Sequence, residues 1–127
     1  MENIDEIFNE MPAHLDLPSL STLELTGVAA LLHNFYDGVE NILKQIFVSQ
    51  KISVPEGQSW HKDLLEKAVN ECVISDECKS RLGQYLAFRH FFSHTYALDL
   101  YPDKMKPLVE DSQKLYSIFK EDISKFL

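Results

Sequence analysis

Cysteine is nearly missing from this chain, with Cys72 and Cys78 the only two among 127 residues. Two thiols are too few for a disulfide scaffold, and their spacing is not the CxxC of a redox pair, so they read as reduced cytosolic cysteines. Glycine is scarce as well, at four residues. Strand-like alternation is hard to find, which argues against a β architecture. No apolar run approaches the roughly 20 residues that cross a bilayer, so no membrane association is expected. The opening MENIDEIFNEMPAH is acidic and lacks a basic segment followed by an apolar one, so a cytoplasmic location is expected. Basic residues are outnumbered: 12 Lys and Arg against 20 Asp and Glu leave a net charge of −8. Proteins that track duplex nucleic acid carry the opposite excess, because phosphate neutralisation supplies their non-specific affinity. Any RNA contact must therefore be local or completed by a second copy, and a basic protein partner would be attracted.

Helical spacing dominates what is there. Hydrophobic residues at 45% and charged residues at 25% are ordinary for a globular protein, and the length fits one domain with its own core. From Ser19 to about Gln50 the apolar positions Leu23, Leu31, Leu32, Phe35, Val39, Ile42, Leu43, Ile46 and Phe47 fall mostly at three- and four-residue steps. This predicts one long amphipathic helix, capped by Ser19 or Ser21, with Gly27 and Gly38 as weak points. Lys51–Gln58 is turn-rich, and Ser59 is expected to cap a short helix that turns Trp60, Leu64, Leu65 and Ala68 inward. Ser75 followed by Asp76 and Glu77 opens a third helix running to about Tyr96, since carboxylates favour the positive end of the helix dipole. A last helix begins near Asp103, with Pro107 tolerated early, and carries Leu108, Leu115, Ile118, Phe119, Ile123 and Phe126 on one face. The expected fold is all-α, an up-and-down helical bundle of four main helices. Residues 1–18 are read as an N-terminal arm, frayed or bearing a short extra helical turn, and 19–127 as the helical domain.

The chemistry gathers at the end of the third helix. Arg89 to Tyr96 packs a guanidinium, two imidazoles, two hydroxyls and a phenol into eight residues. On an ideal helix Arg89 and Tyr96 lie nearly in line, and His90 and His94 share a face. Arg89 and His94 diverge by about 140°, so they meet poorly within one chain. They would meet better if the same segment of a second copy faced them across a twofold axis. The set suits phosphodiester cleavage: an imidazole moves the proton of a ribose 2′-hydroxyl or of the leaving 5′-oxygen, and Arg offers its planar fork to a phosphate gathering charge. RNA supplies its own nucleophile, so no metal or other cofactor is called for. A blander account stands beside this one. Arg89 pairs with Glu40 or Asp37, and His94 merely stabilises a helix C-terminus. His90 and His94 are spaced for a metal, but no Glu completes an HExxH and both Cys lie well upstream. Phe88, Phe91 and Phe92 read as core, and His33 and His61 as surface or satisfied core histidines.

Arg89-His90-Phe91-Phe92-Ser93-His94-Thr95-Tyr96 has the form R-x4-H-x-Y, which resembles the signature of the HepT-like branch of the HEPN ribonucleases. Phe35–Ile46, Val54–Leu65, Leu82–Tyr96 and Asp103–Glu110 resemble that group in order and spacing, so the likeness covers roughly residues 20–127. The resemblance implies a bundle that forms a homodimer, with two motifs joined in one cleft, and metal-independent RNA cleavage by Arg89 and His94. It also implies a toxin encoded beside a minimal nucleotidyltransferase (MNT) antitoxin, which transfers AMP onto Tyr96 and silences the nuclease. A larger hetero-oligomer with that antitoxin is then expected. Many relatives carry Asn or Asp directly after the Arg, whereas here His90 stands there, as a possible second acid/base group. The competing expectation is a catalytically weak binding subunit that serves as partner or substrate of the nucleotidyltransferase.

Overall fold

Helix α2, Thr22–Ser49, is the spine on which the other elements are placed. The computed structural model describes residues 2–94 and 100–127. Along α2, Leu25, Val28, Ala29, Leu32, Phe35, Tyr36, Val39, Leu43, Ile46 and Phe47 are buried at three- and four-residue steps, as the amphipathic pattern predicts. Its start is fixed by a reciprocal box: the Ser21 hydroxyl accepts from the Glu24 N–H at 3.1 Å, and the Ser21 N–H donates to Glu24 Oε1 at 3.0 Å. Those two bonds hold the Glu24 carboxyl below the usual carboxylate range, with the bond from the Ser21 backbone the larger cause. Of the two candidate caps, Ser21 is the one used.

Three further main helices surround this spine: α3 (Trp60–Asn70), α4 (Asp76–Ser93) and α5 (Pro102–Ile123). Ser59 precedes α3 but does not cap it. Its backbone sits at φ −101° and ψ 21° rather than extended, and its hydroxyl donates to Asp63 Oδ2 at 2.9 Å instead. Ser75 does cap α4, accepting from the Cys78 N–H at 3.2 Å. Both the N–H and the hydroxyl of Ser75 also reach Asp122 of α5, at 2.9 and 2.7 Å, which locks the start of α4 to the end of α5. Pro102 occupies the first turn of α5, where a missing N–H costs no helical bond.

The N-terminal segment, expected as a frayed arm or a short extra helical turn, is helical and docks on the core. Glu2–Glu10 form a short helix, α1, and His14–Ser19 a 3-10 helix, with Ile4 and Leu17 in the core. Gly38 explains how α1 docks. A Cβ built there would come within 2.9 Å of the Ile4 side chain, so glycine leaves the notch that Ile4 fills. All described elements are helical, so the fold is all-α: four main helices with a short fifth at the N-terminus. Among the described residues, no helix is long and apolar enough to cross a membrane.

Candidate functional site

The middle of α2 carries a polar row inside an otherwise apolar stripe: His33, Tyr36, Asp37 and Glu40, opposite α3 and α4. Glu40 is 98% buried, yet it is not an uncompensated charge, because His61 Nδ1 of α3 lies 2.7 Å from its Oε2. His61 in turn stacks on Trp60 with ring centroids 3.6 Å apart, and Lys44 Nζ sits 3.8 Å from the Trp60 ring centre. The Tyr36 hydroxyl is buried among these groups without a hydrogen-bond partner among the described residues. Burial first, and then the Glu40 charge, push its phenol well above the usual range.

Asp37, one turn along, meets the motif. Arg89 of α4 donates from Nε to Asp37 Oδ1 at 3.0 Å. Of the two carboxylates that the sequence offered as partners, Asp37 takes Arg89 and Glu40 is occupied by His61. Nε is the guanidinium nitrogen on the stem side of the fork, and among the described residues it makes the only hydrogen bond of this side chain. The two terminal amino groups thus remain the part of Arg89 that can meet a bidentate acceptor. Its side chain is 27% exposed.

α4 ends one turn beyond Arg89. Ser93 is its last residue, and its hydroxyl donates to the Arg89 carbonyl at 2.9 Å, while His94 takes the C-cap position. The expected run to about Tyr96 is described as far as this cap, and its last two residues lie outside the described residues. His90 and His94 are both exposed, and their rings meet edge to face at 4.6 Å. Tyr96 lies outside the described residues. Within one chain, Arg89 turns toward α2 while His94 faces His90, in keeping with the divergence that the helical wheel predicts. Phe88 and Phe92 stack at 6.2 Å, and the Lys104 ammonium of α5 sits 4.0 Å over the Phe91 ring. A chain of net charge −8 thus gathers Arg89, His90, His94 and Lys104 around one helix end. Among the described residues, no three His, Cys, Asp or Glu side chains converge as a metal site would need.

Sequence reasoning missed His33. Its Nδ1 lies 3.2 Å from Asp37 Oδ2, the carboxylate oxygen that Arg89 leaves unused, and its ring packs on Phe92 at 5.9 Å. The four-residue step from His33 to Asp37 was the available signal.

Comparison with known proteins adds one finding: the family described as HepT-like protein matches residues 27–127. No curated protein and no solved structure matches the chain.

Proposed function

The chain belongs to the HepT-like family of the HEPN superfamily, and we propose that it is the toxin of a toxin–antitoxin pair and acts as a metal-independent endoribonuclease. Family membership supports the toxin–antitoxin setting and ribonuclease chemistry in general terms. The observation that carries the reading to particular residues is the anchoring of Arg89 at Nε by Asp37, at the helix end where His90 and His94 stand in solvent. A guanidinium held from behind presents its terminal amino groups to a phosphate without having to be ordered first.

The reaction follows from those groups. A neutral imidazole takes the proton of the ribose 2′-hydroxyl as its oxygen bonds to phosphorus. The bond from phosphorus to the 5′-oxygen breaks, and a protonated imidazole gives that oxygen a proton. Arg89 stabilises the charge that develops on the non-bridging oxygens, and the products are a 2′,3′-cyclic phosphate and a 5′-hydroxyl. His94 is the first acid/base group and His90 an auxiliary one. The divergence of Arg89 and His94 favours a cleft built from two copies, with each α4 end facing its counterpart.

Silencing fits the same place. Tyr96, named by its position in R-x4-H-x-Y, attacks the α-phosphorus of ATP held by an MNT-type nucleotidyltransferase. An aryl O–P bond forms, pyrophosphate leaves and the phenolic proton goes to solvent. The attached nucleotide brings a phosphate to the arginine that RNA would use. Purified protein should cleave single-stranded RNA in the presence of EDTA, leaving cyclic phosphate ends, and Arg89→Ala or His94→Ala should abolish this. Protein that is inert on RNA but accepts AMP on Tyr96 from its cognate enzyme would instead be a binding subunit of that enzyme.

A further inference from the structure

Asp37 does not serve Arg89 alone. Oδ1 accepts the Arg89 Nε–H at 3.0 Å, and Oδ2 lies 3.2 Å from His33 Nδ1. One carboxylate thus bridges an arginine on α4 and a histidine on α2. The His33 ring is backed by Phe92, two residues before the motif His94. At 24% side-chain exposure it is neither sealed into the core nor loose in solvent. A carboxylate 3.2 Å from Nδ1 favours the tautomer protonated there, with Nε2 as the basic nitrogen, and forms an ion pair with the imidazolium once a proton arrives. By contrast, among the described residues the only ring partner of His94 is His90.

We infer that His33 is a further catalytic residue of the RNA cleavage proposed above, acting as its general base, with Asp37 positioning both His33 and Arg89 in the same protomer. The inference rests on the ribonuclease reading. His33 Nε2 takes the 2′-hydroxyl proton as the 2′-oxygen bonds to phosphorus, and Asp37 steadies the resulting imidazolium. The phosphate is met by Arg89, which the same carboxylate aims. His94 gives its proton to the departing 5′-oxygen, and solvent returns both imidazoles to their starting states. This division leaves His94 with the acid role alone. It also gives the −8 chain a compact anion-binding and proton-transfer unit rather than a basic surface.

Leaving-group chemistry separates the two histidines. A 4-nitrophenolate departs without being protonated, so a nucleoside 3′-(4-nitrophenyl) phosphate needs the base and not the acid. The assay uses the full-length protein with single-stranded RNA and with the nitrophenyl esters of all four nucleosides, and a circular dichroism melt of each variant. His33→Ala and His33→Gln should lower kcat by about 10²- to 10⁴-fold on both substrates with little change in KM. His94→Ala should lose activity on RNA but retain most of it on the esters. Asp37→Asn should lose at least as much as His33→Ala on both, because Asp37 positions both the base and Arg89. Native-like kcat for His33→Ala on the esters, or full recovery with His33→Gln, would overturn the assignment while leaving the nuclease intact. Wild-type protein that cleaves neither substrate would overturn both.

Discussion

Arg81 and Arg89 stand eight residues apart on α4, with side chains 24% and 27% exposed, yet they are treated differently. Arg81 is surrounded: Glu77 takes its Nε and Nη2, and Asp111 of α5 takes Nη1. Asp111 also lies 3.5 Å from the Tyr85 hydroxyl, which donates to the Leu108 carbonyl at 2.7 Å. Among the described residues Arg89 has one bond, at Nε, which leaves both terminal amino groups open. The same contrast separates two histidine–carboxylate pairs. His61 meets a Glu40 that is fully buried, whereas His33 meets an Asp37 that is more than one-third exposed. Burial of the two arginines is nearly equal, so the difference lies in how many partners each is given. Saturated groups hold the bundle together, and groups held at one point are left with capacity for something that arrives.

The largest effect should come from the saturated side. His61→Ala strands the Glu40 carboxylate between α2 and α3 and should cost about 3 kcal/mol, near the lower end for breaking a buried pair. His33→Ala, at the open end, should cost less than about 1 kcal/mol. Urea unfolding of the two variants checks the contrast directly. Equal losses would mean that the Asp37 end is as structural as the Glu40 end, and the comparison would collapse.

The arginines give a second, smaller separation. Arg81→Ala leaves Asp111 and Glu77 without their cation and should destabilise by about 1–2 kcal/mol, with RNA cleavage retained in proportion to folded protein. Arg89→Ala should change stability by about 1 kcal/mol or less and abolish cleavage. Unfolding curves and cleavage assays on the same two preparations test both halves. Activity lost in step with stability in both variants would make Arg89 another strut.

Much of this division was legible in the sequence, and the illegible parts have physical causes. The three- and four-residue steps of α2 and the Ser21–Glu24 box were readable because they are local. Ser59 misled because capping depends on backbone angles that composition does not set. Residues 1–18 read as a frayed arm or a short extra helical turn, because the docking of α1 hangs on one long-range fact, the notch at Gly38 that receives Ile4, and a glycine inside a helix otherwise reads as weakness. Asp37 and Glu40 sit three residues apart on one face, so either was a plausible partner for Arg89. Only the position of His61 on α3 decides which carboxylate is free. For the same reason His33 read as a surface or satisfied core histidine, since the carboxylate beside it is shared with another helix.

The smallest expected change supplies the finest probe of whether the two ends are independent. Cys72 follows α3 in a left-handed conformation, φ 59°, with the Val73 N–H bonded back to the Ala68 carbonyl at 2.8 Å and the Cys72 N–H to Val69. Glycine suits that position, so Cys72→Gly should stabilise by less than about 1 kcal/mol, the gain reduced by the greater freedom of glycine when unfolded. The substitution also removes the exposed thiol and leaves Cys78 alone. Cys78 is fully buried, and that burial, followed by the nearby Asp122 charge, pushes its thiol up to about 12. Raised above its unfolded value, the thiol contributes stability below the ordinary thiol range, which is lost as pH climbs toward 12. Near pH 8 it should therefore react with a thiol reagent only when the saturated end of the bundle opens. In the Cys72→Gly background, His33→Ala or Asp37→Ala should leave the labelling rate of Cys78 within about threefold, and Arg81→Ala should raise it about tenfold, the equivalent of about 1.4 kcal/mol. A rise of that size from Asp37→Ala would show that the open end braces the closed one, and that holding Arg89 is part of holding the fold.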